Sequence, residues 1–191
     1  SCTNDDTFYY TENGSKGLFN LNKGVIFSAS YDSIIRSAYN RLEVKFNNKC
    51  GIVEPSGKII IPCNYDEIVA KDKLYSVINH TNHPQYSWQK QNIYGLISYN
   101  GALLIPCEYN DIINSKDYFV VVKNGLYGCL NIEGDVVIDI KYQYLKVADN
   151  LFIASINSDI YKKNVYGVID DTENVIIPFF YTKIEYIGSG N

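Results

Sequence analysis

Short apolar runs recur along the chain, each bracketed by polar or turn-forming residues. Ile59-Ile60-Ile61, Leu103-Leu104-Ile105 and Val175-Ile176-Ile177 are three residues long, and residues 74–78, 118–122 and 151–156 form slightly longer runs. Runs this short, rich in β-branched and aromatic side chains and separated by glycine, asparagine and aspartate, predict strands; they are too short for helices. Their nearly continuous apolar character predicts strands covered on both faces. All of them, residues 102–106 included, remain strand-sized, so the chain holds no stretch that reads as a membrane-spanning helix.

The runs are in register. With Gly17, Gly51, Gly95, Gly128 and Gly167 as anchors, the spacings are 34, 44, 33 and 39 residues. Fourteen residues beyond each anchor stands a tyrosine: Tyr31, Tyr65, Tyr109, Tyr142 and Tyr181. Seventeen beyond stands an aliphatic residue: Ile34, Ile68, Ile112, Leu145 and Ile184. The three-residue apolar run fills offsets 8 to 10, and Pro62, Pro106 and Pro178 follow it. Five such registers establish tandem copies of one unit of about 33 residues.

Tyr94-Gly95-Leu96-Ile97, then Gly101, Leu104-Ile105-Pro106 and Tyr109-Asn110-Asp111-Ile112 resemble the WG (KWG) repeat family. The resemblance runs from about Lys16 to Ile187. It departs at the signature position, where Lys16, Cys50, Tyr94, Tyr127 and Tyr166 stand in place of the family's tryptophan. A large ring at three of these five positions preserves the packing role. The resemblance implies no shared enzymatic activity and a place among bacterial surface and interaction proteins.

Each unit reads as four strands, a to d. Strand a follows the anchor; a tight turn with Gly57, Gly101 or Gly134 leads to the apolar strand b. Proline is expected to stop strand b, having no N–H for the ladder. Strand c is expected to carry the tyrosine and the aliphatic residue at offset 17, and strand d precedes the next anchor. Residues 7–10, followed by Glu12-Asn13-Gly14, have the pattern of a d strand, while the array stops after strand c near Ile187. The expected fold is therefore all-β: a five-bladed β-propeller whose N-terminal strand closes the ring, with an open β-hairpin solenoid as the alternative. Residues 1–6 form a lead, and residues 7–191 a single repeat domain.

Composition adds exclusions. Eighteen tyrosines and no methionine are strand vocabulary. A net charge of −4 supplies no basic field for nucleic acid. No nucleophile elbow, His-Glu-x-x-His, phosphate-cradling loop or dinucleotide fingerprint occurs, so neither an enzymatic site nor a cofactor is expected. Asp32 and Asp66 are expected to serve turn chemistry.

Candidate binding residues lie where the units differ in length. Apart from a small excess between Ile34 and Leu42, the extra residues fall between strands d and a, a connection where binding surfaces are often built. Residues 79–92 carry His80, His83, Tyr86 and the sole tryptophan, Trp88; a second insertion, residues 157–164, carries Tyr161, Lys162 and Lys163. Tyr86 and Trp88 alternate, so in an extended arm both point to one face, to stack on a sugar or a partner protein or to cover the arm's own base. His80 and His83 fall short of the three or four ligands of a metal site, so no metal is expected. Cys50, Cys63, Cys107 and Cys129 fit no zinc or redox spacing and read as small buried residues. Ser1-Cys2-Thr3-Asn4-Asp5-Asp6 looks like the lipid-modified start of a bacterial lipoprotein, or else an arbitrary boundary.

The expected function is that of a non-catalytic binding protein, monomeric, held at the bacterial cell envelope through lipid on Cys2 and presenting its loops to a glycan or protein. The alternative is a cytoplasmic interaction partner, such as an immunity or scaffold protein.

Overall fold

The computed structural model describes residues 7–83 and 88–188, and among them regular structure is almost wholly β. Nineteen strands follow one another: β1 (Thr7–Glu12), β2 (Ser15–Asn20), β3 (Gly24–Tyr31), β4 (Ser33–Arg36), β5 (Leu42–Phe46), β6 (Lys49–Val53), β7 (Ile59–Tyr65), β8 (Glu67–Lys71), β9 (Leu74–Asn82), β10 (Lys90–Ser98), β11 (Leu103–Tyr109), β12 (Asp111–Ser115), β13 (Tyr118–Lys123), β14 (Leu126–Asn131), β15 (Val136–Tyr142), β16 (Tyr144–Ala148), β17 (Leu151–Ser158), β18 (Lys163–Ile169) and β19 (Val175–Tyr181). They form one three-stranded sheet, β1-β2-β3, and four four-stranded sheets in the orders β4-β5-β6-β7, β8-β9-β10-β11, β12-β13-β14-β15 and β16-β17-β18-β19. The all-β repeat architecture read from the sequence is therefore present.

The sheets are offset from the sequence repeats by half a period. Strands c and d of one unit pair with strands a and b of the next, joined by tight hairpins. At three d-to-a hairpins the turn residues are Asn13-Gly14, Asn47-Asn48 and Asn124-Gly125, all with positive φ, the conformation of a type I′ turn whose twist matches the strands it joins. The residue at offset 15 secures two of these turns: Asp32 accepts from the Asn48 N–H at 3.4 Å and Asn110 from the Asn124 N–H at 2.7 Å. The equivalent Asp66 accepts instead from the His80 N–H within β9 at 2.8 Å.

Two details of strand b depart from expectation. Pro62, Pro106 and Pro178 do not end it; β7, β11 and β19 run on to the repeat tyrosine, which thus closes strand b and does not belong to c. In β6–β7, Cys50 opposes Tyr65 but Ile52 opposes Ile61, so β7 carries two extra residues in a bulge. Proline is tolerated there because the bulge, on an edge strand, requires no N–H from it. Strand b is also not covered on both faces: Ile59, Leu103 and Val175 are exposed, whereas the central strands β13 and β14 each hold three successive buried residues. The bulge explains the anchor glycines. A Cβ at Gly51, Gly95 or Gly167 would lie 2.7 to 2.8 Å from the carbonyl oxygen of Ile61, Ile105 or Ile177.

The chain divides into two compact units, residues 1–90 with 96–103 and residues 91–95 with 104–191. In the first, Leu18, Ile34, Leu42, Val44 and Val53 form a core flanked by Ile26, Phe27, Tyr31 and Cys63. In the second, Val120, Cys129, Ile138, Tyr142, Leu145, Phe152, Ala154 and Ile169 form a larger one. Successive sheets touch at the a-to-b turns. A Cβ on Gly134 (φ 93°) would stand 2.0 Å from the Leu104 carbonyl oxygen, and one on Gly101 (φ 90°) 2.6 Å from that of Ile60.

The equivalent turn in the last sheet carries Glu173, at φ 63°. Its carboxylate accepts from the Asp139 N–H at 3.0 Å and the Tyr142 hydroxyl at 2.8 Å, and pairs with Lys141. Asp139 occupies the offset that is proline in three other units, so a backbone N–H is present there to be bound. Burial works to raise the Glu173 pKa, but the Lys141 ammonium, the Asp139 N–H and the Tyr142 hydroxyl outweigh it and hold the carboxyl below its ordinary value.

Candidate functional site

Strands β9 and β10 are nine residues each, against five and six for β5 and β13, and their extra length builds an arm. The His83 N–H donates to the Gln89 carbonyl oxygen at 2.7 Å across its stem. Trp88 lies in the turn with 81% of its surface exposed; Tyr86, with residues 84–87, falls outside the described residues, as does Cys2.

His80 sits lower on the arm. Its Nε2 lies 3.2 Å from Glu67 Oε1, both side chains being exposed, and its backbone N–H donates to Asp66. Asp66 also accepts from Lys49 Nζ at 2.8 Å. The Lys49 bond, then the His80 N–H, hold the Asp66 carboxyl below its ordinary range. Among the described residues no group of three or more His, Cys, Asp or Glu is placed to hold a metal ion, and no helix is long and apolar enough to cross a membrane.

The second insertion forms the turn between β17 and β18 in the second unit. Tyr161 is half exposed and its N–H donates to Ser158 Oγ at 3.3 Å; Lys162 adopts φ 52°; Ile160 is 87% exposed. Among the described residues no disulfide joins Cys50, Cys63, Cys107 or Cys129. Cys50 and Cys129 are buried, Cys63 and Cys107 half-buried, and burial pushes the Cys129 thiol up to about 12. The last value describes an inert thiol.

A further polar site in the first unit escaped the sequence reading. The c-to-d connections after β8, β12 and β16 are two residues long, but between β4 and β5 five residues intervene, Ser37 to Arg41. Tyr39 and Asn40 take φ of 60° and 57°, a conformation disfavoured for residues other than glycine, and the Ser37 N–H closes the loop on the Arg41 carbonyl oxygen at 2.8 Å.

This loop carries a buried arginine. Arg41 is 5% exposed; its Nη1 donates to the Tyr75 hydroxyl at 3.1 Å and to the Tyr99 carbonyl oxygen. The guanidinium lies 3.9 Å from the centre of the Tyr99 ring, and Glu54 stands 3.8 Å from Nη2. Tyr39 meets Tyr75 and Tyr99 edge-on, and its hydroxyl accepts the Lys73 N–H at 2.8 Å. Beside this cage lies a cleft of about 280 Å³, lined by Thr7, Tyr9, Leu18, Arg36, Ser37, Asn40, Arg41, Leu42 and Pro55. The only hint in the sequence was the small excess of residues between Ile34 and Leu42.

Comparison with known proteins gives a family match over part of the chain and a distant structural likeness. The model of the WG containing repeat matches residues 51–70, 94–127 and 127–158. No curated protein sequence matches the chain. Among solved structures, the crystal structure of the V. cholerae biofilm matrix protein Bap1 aligns over 91% of this chain and 33% of that one, at 14% identity and a TM-score of 0.27. The chain thus spans about a third of the length of that structure.

Proposed function

From the premise that the chain carries WG-containing repeats, we propose that it is a non-catalytic binding protein that presents the β9–β10 arm to a glycan or protein. The observation that carries this reading is Trp88, the sole tryptophan, held at the end of a paired stem with 81% of its surface exposed. Indole surface in water is unfavourable, and aromatic residues in such positions are common anchors for sugars and partner proteins.

The test uses the same residue as reporter. With one tryptophan in the chain, its emission reads the arm alone. A ligand found on a glycan or protein array should shift that emission and lose most of its affinity for Trp88→Ala. Full affinity of the variant for that ligand would remove the arm as the site.

Two further features belong to this proposal. The Ser1-Cys2 motif marks a lipid attachment that holds the protein at the cell envelope, supported by the acidic residues that follow it; radiolabelled lipid should enter the precursor and not its Cys2→Ala variant. The repeats close into a five-bladed propeller. Supporting this, among the described residues β1 has the place of a d strand in the one sheet without a c strand, and the sequence of residues 182–187 continues the c pattern. Transfer of the register of the other sheets sets Glu185 opposite Tyr9, so Tyr9→Cys with Glu185→Cys should form a disulfide within one chain; failure to cross-link under oxidation would count against the ring.

A further inference from the structure

We propose that the cleft between β1 and the Ser37–Arg41 loop is a binding site for a carboxylated sugar, a uronate residue of a glycan. The inference goes beyond the arm, since it concerns other residues and another ligand chemistry, and either site can fail without the other.

The charge is concentrated. Arg36 and Arg41 are the only arginines of a chain with fifteen lysines, and both line this one cleft. Guanidinium is the side chain suited to a carboxylate because its planar fork donates two parallel hydrogen bonds. Arg36 is exposed and, among the described residues, has no ion pair.

Arg41 is pre-positioned. Its burial against Tyr75 and Tyr99 fixes the guanidinium, yet its hydrogen bonds engage only Nη1, and Glu54 at 3.8 Å from Nη2 is beyond hydrogen-bond length. Arginine has five N–H donors, so Nε and Nη2 remain to be used. Among the described residues the sole buried side-chain polar atom without a partner is Ser155 Oγ. The remaining Arg41 donors are therefore not sealed from solvent; Arg41 lines this cleft and also a neighbouring cavity that Glu54 and Tyr99 border, and a carboxylate reaching these donors would satisfy them.

The rest of the lining suits a sugar better than a bare anion. Tyr9, about half exposed, offers a ring face, and Pro55 supplies apolar surface. Thr7, Ser37 and Asn40 supply hydroxyl and amide groups for ring hydroxyls. The volume is at the small end for ligand pockets, which fits one sugar residue and not a long chain. The left-handed backbone at Tyr39 and Asn40 also sits in this loop, and such conformations cluster where a site is held in shape.

The test is an NMR titration of the full chain with D-galacturonate, D-galactose and inorganic phosphate. Galacturonate should shift amide signals of residues 36–42 and of Tyr9, while galactose and phosphate bind at least about tenfold more weakly. Arg36→Gln should weaken galacturonate binding by roughly tenfold to a hundredfold. Because Arg41 also supports the loop, Arg36→Lys serves as the second variant: it keeps the charge, loses the fork and should fall between wild type and Arg36→Gln. Equal binding of galacturonate and galactose would overturn the proposal, as would phosphate binding as tightly as galacturonate or an Arg36→Gln affinity equal to wild type.

Discussion

Glu173→Gln tests whether the carboxylate at the last a-to-b turn holds the two final sheets together. In the native protein it accepts from the Asp139 N–H and the Tyr142 hydroxyl and faces Lys141, with its side chain 20% exposed. Hydrogen bonds to a charged acceptor contribute about 1.5 to 3 kcal/mol when well shielded. Glutamine keeps one acceptor oxygen and loses the charge, so a loss of about 1 to 2 kcal/mol is expected, or roughly 2 to 8 °C in Tm for a chain of this size. Glu173→Gly removes all these bonds but relieves the left-handed backbone, which is worth about 1 kcal/mol, and should land in the same range.

The pH dependence separates this network from mere packing. The Glu173 carboxyl titrates below its ordinary value of 4.5, so its contribution is complete above that value and is lost as pH falls through the lower, folded-state value. Thermal melts followed by far-ultraviolet circular dichroism should therefore show wild type above Glu173→Gln at neutral pH and the two converging in acid. Equal melting at neutral pH, or a gap that persists unchanged after the carboxyl has protonated, would refute the reasoning.

Gly134→Ala should lower the urea midpoint by the equivalent of about 2 to 4 kcal/mol, since its Cβ would collide with the Leu104 carbonyl. Gly125→Ala, at a turn with φ 78° and open space around it, should cost only about 1 kcal/mol, and equal losses would show that sheet contact does not matter at Gly134. Trp88→Ala should leave the melting temperature within about 1 °C of wild type, because exposed substitutions change little; a larger drop would mean that the ring serves the fold. Native-state alkylation near pH 8 should spare Cys129 and reach it only on unfolding, given its burial and raised pKa; rapid labelling would contradict the packing around β14.

The periodic features were legible because they repeat. Tyrosine at offset 14, the aliphatic at offset 17 and the apolar triplet give strands whatever the details of pairing. Proline in strand b is misleading in the sequence because the pairing partner, not the strand, decides whether an N–H is needed. Glu173 was invisible for a related reason: a glutamate in a glycine position reads as a fault until its neighbour, Asp139 in place of proline, is known to lie beside it. The arginine cleft left almost no trace, since Arg36 and Arg41 belong to no register and act with Tyr75 and Tyr99, which lie 34 and 58 residues from Arg41.

The half-period offset between repeat and sheet bears on how such arrays change length. Each four-stranded sheet is stitched from two neighbouring copies, so each b-to-c junction passes from one sheet to the next while each d-to-a hairpin is internal. Unequal recombination that removes or adds one whole period rejoins equivalent halves wherever the crossover falls, and the surviving strands recover complete partners. Genetic gain or loss of copies in this lineage is thereby freed from any need to respect structural boundaries.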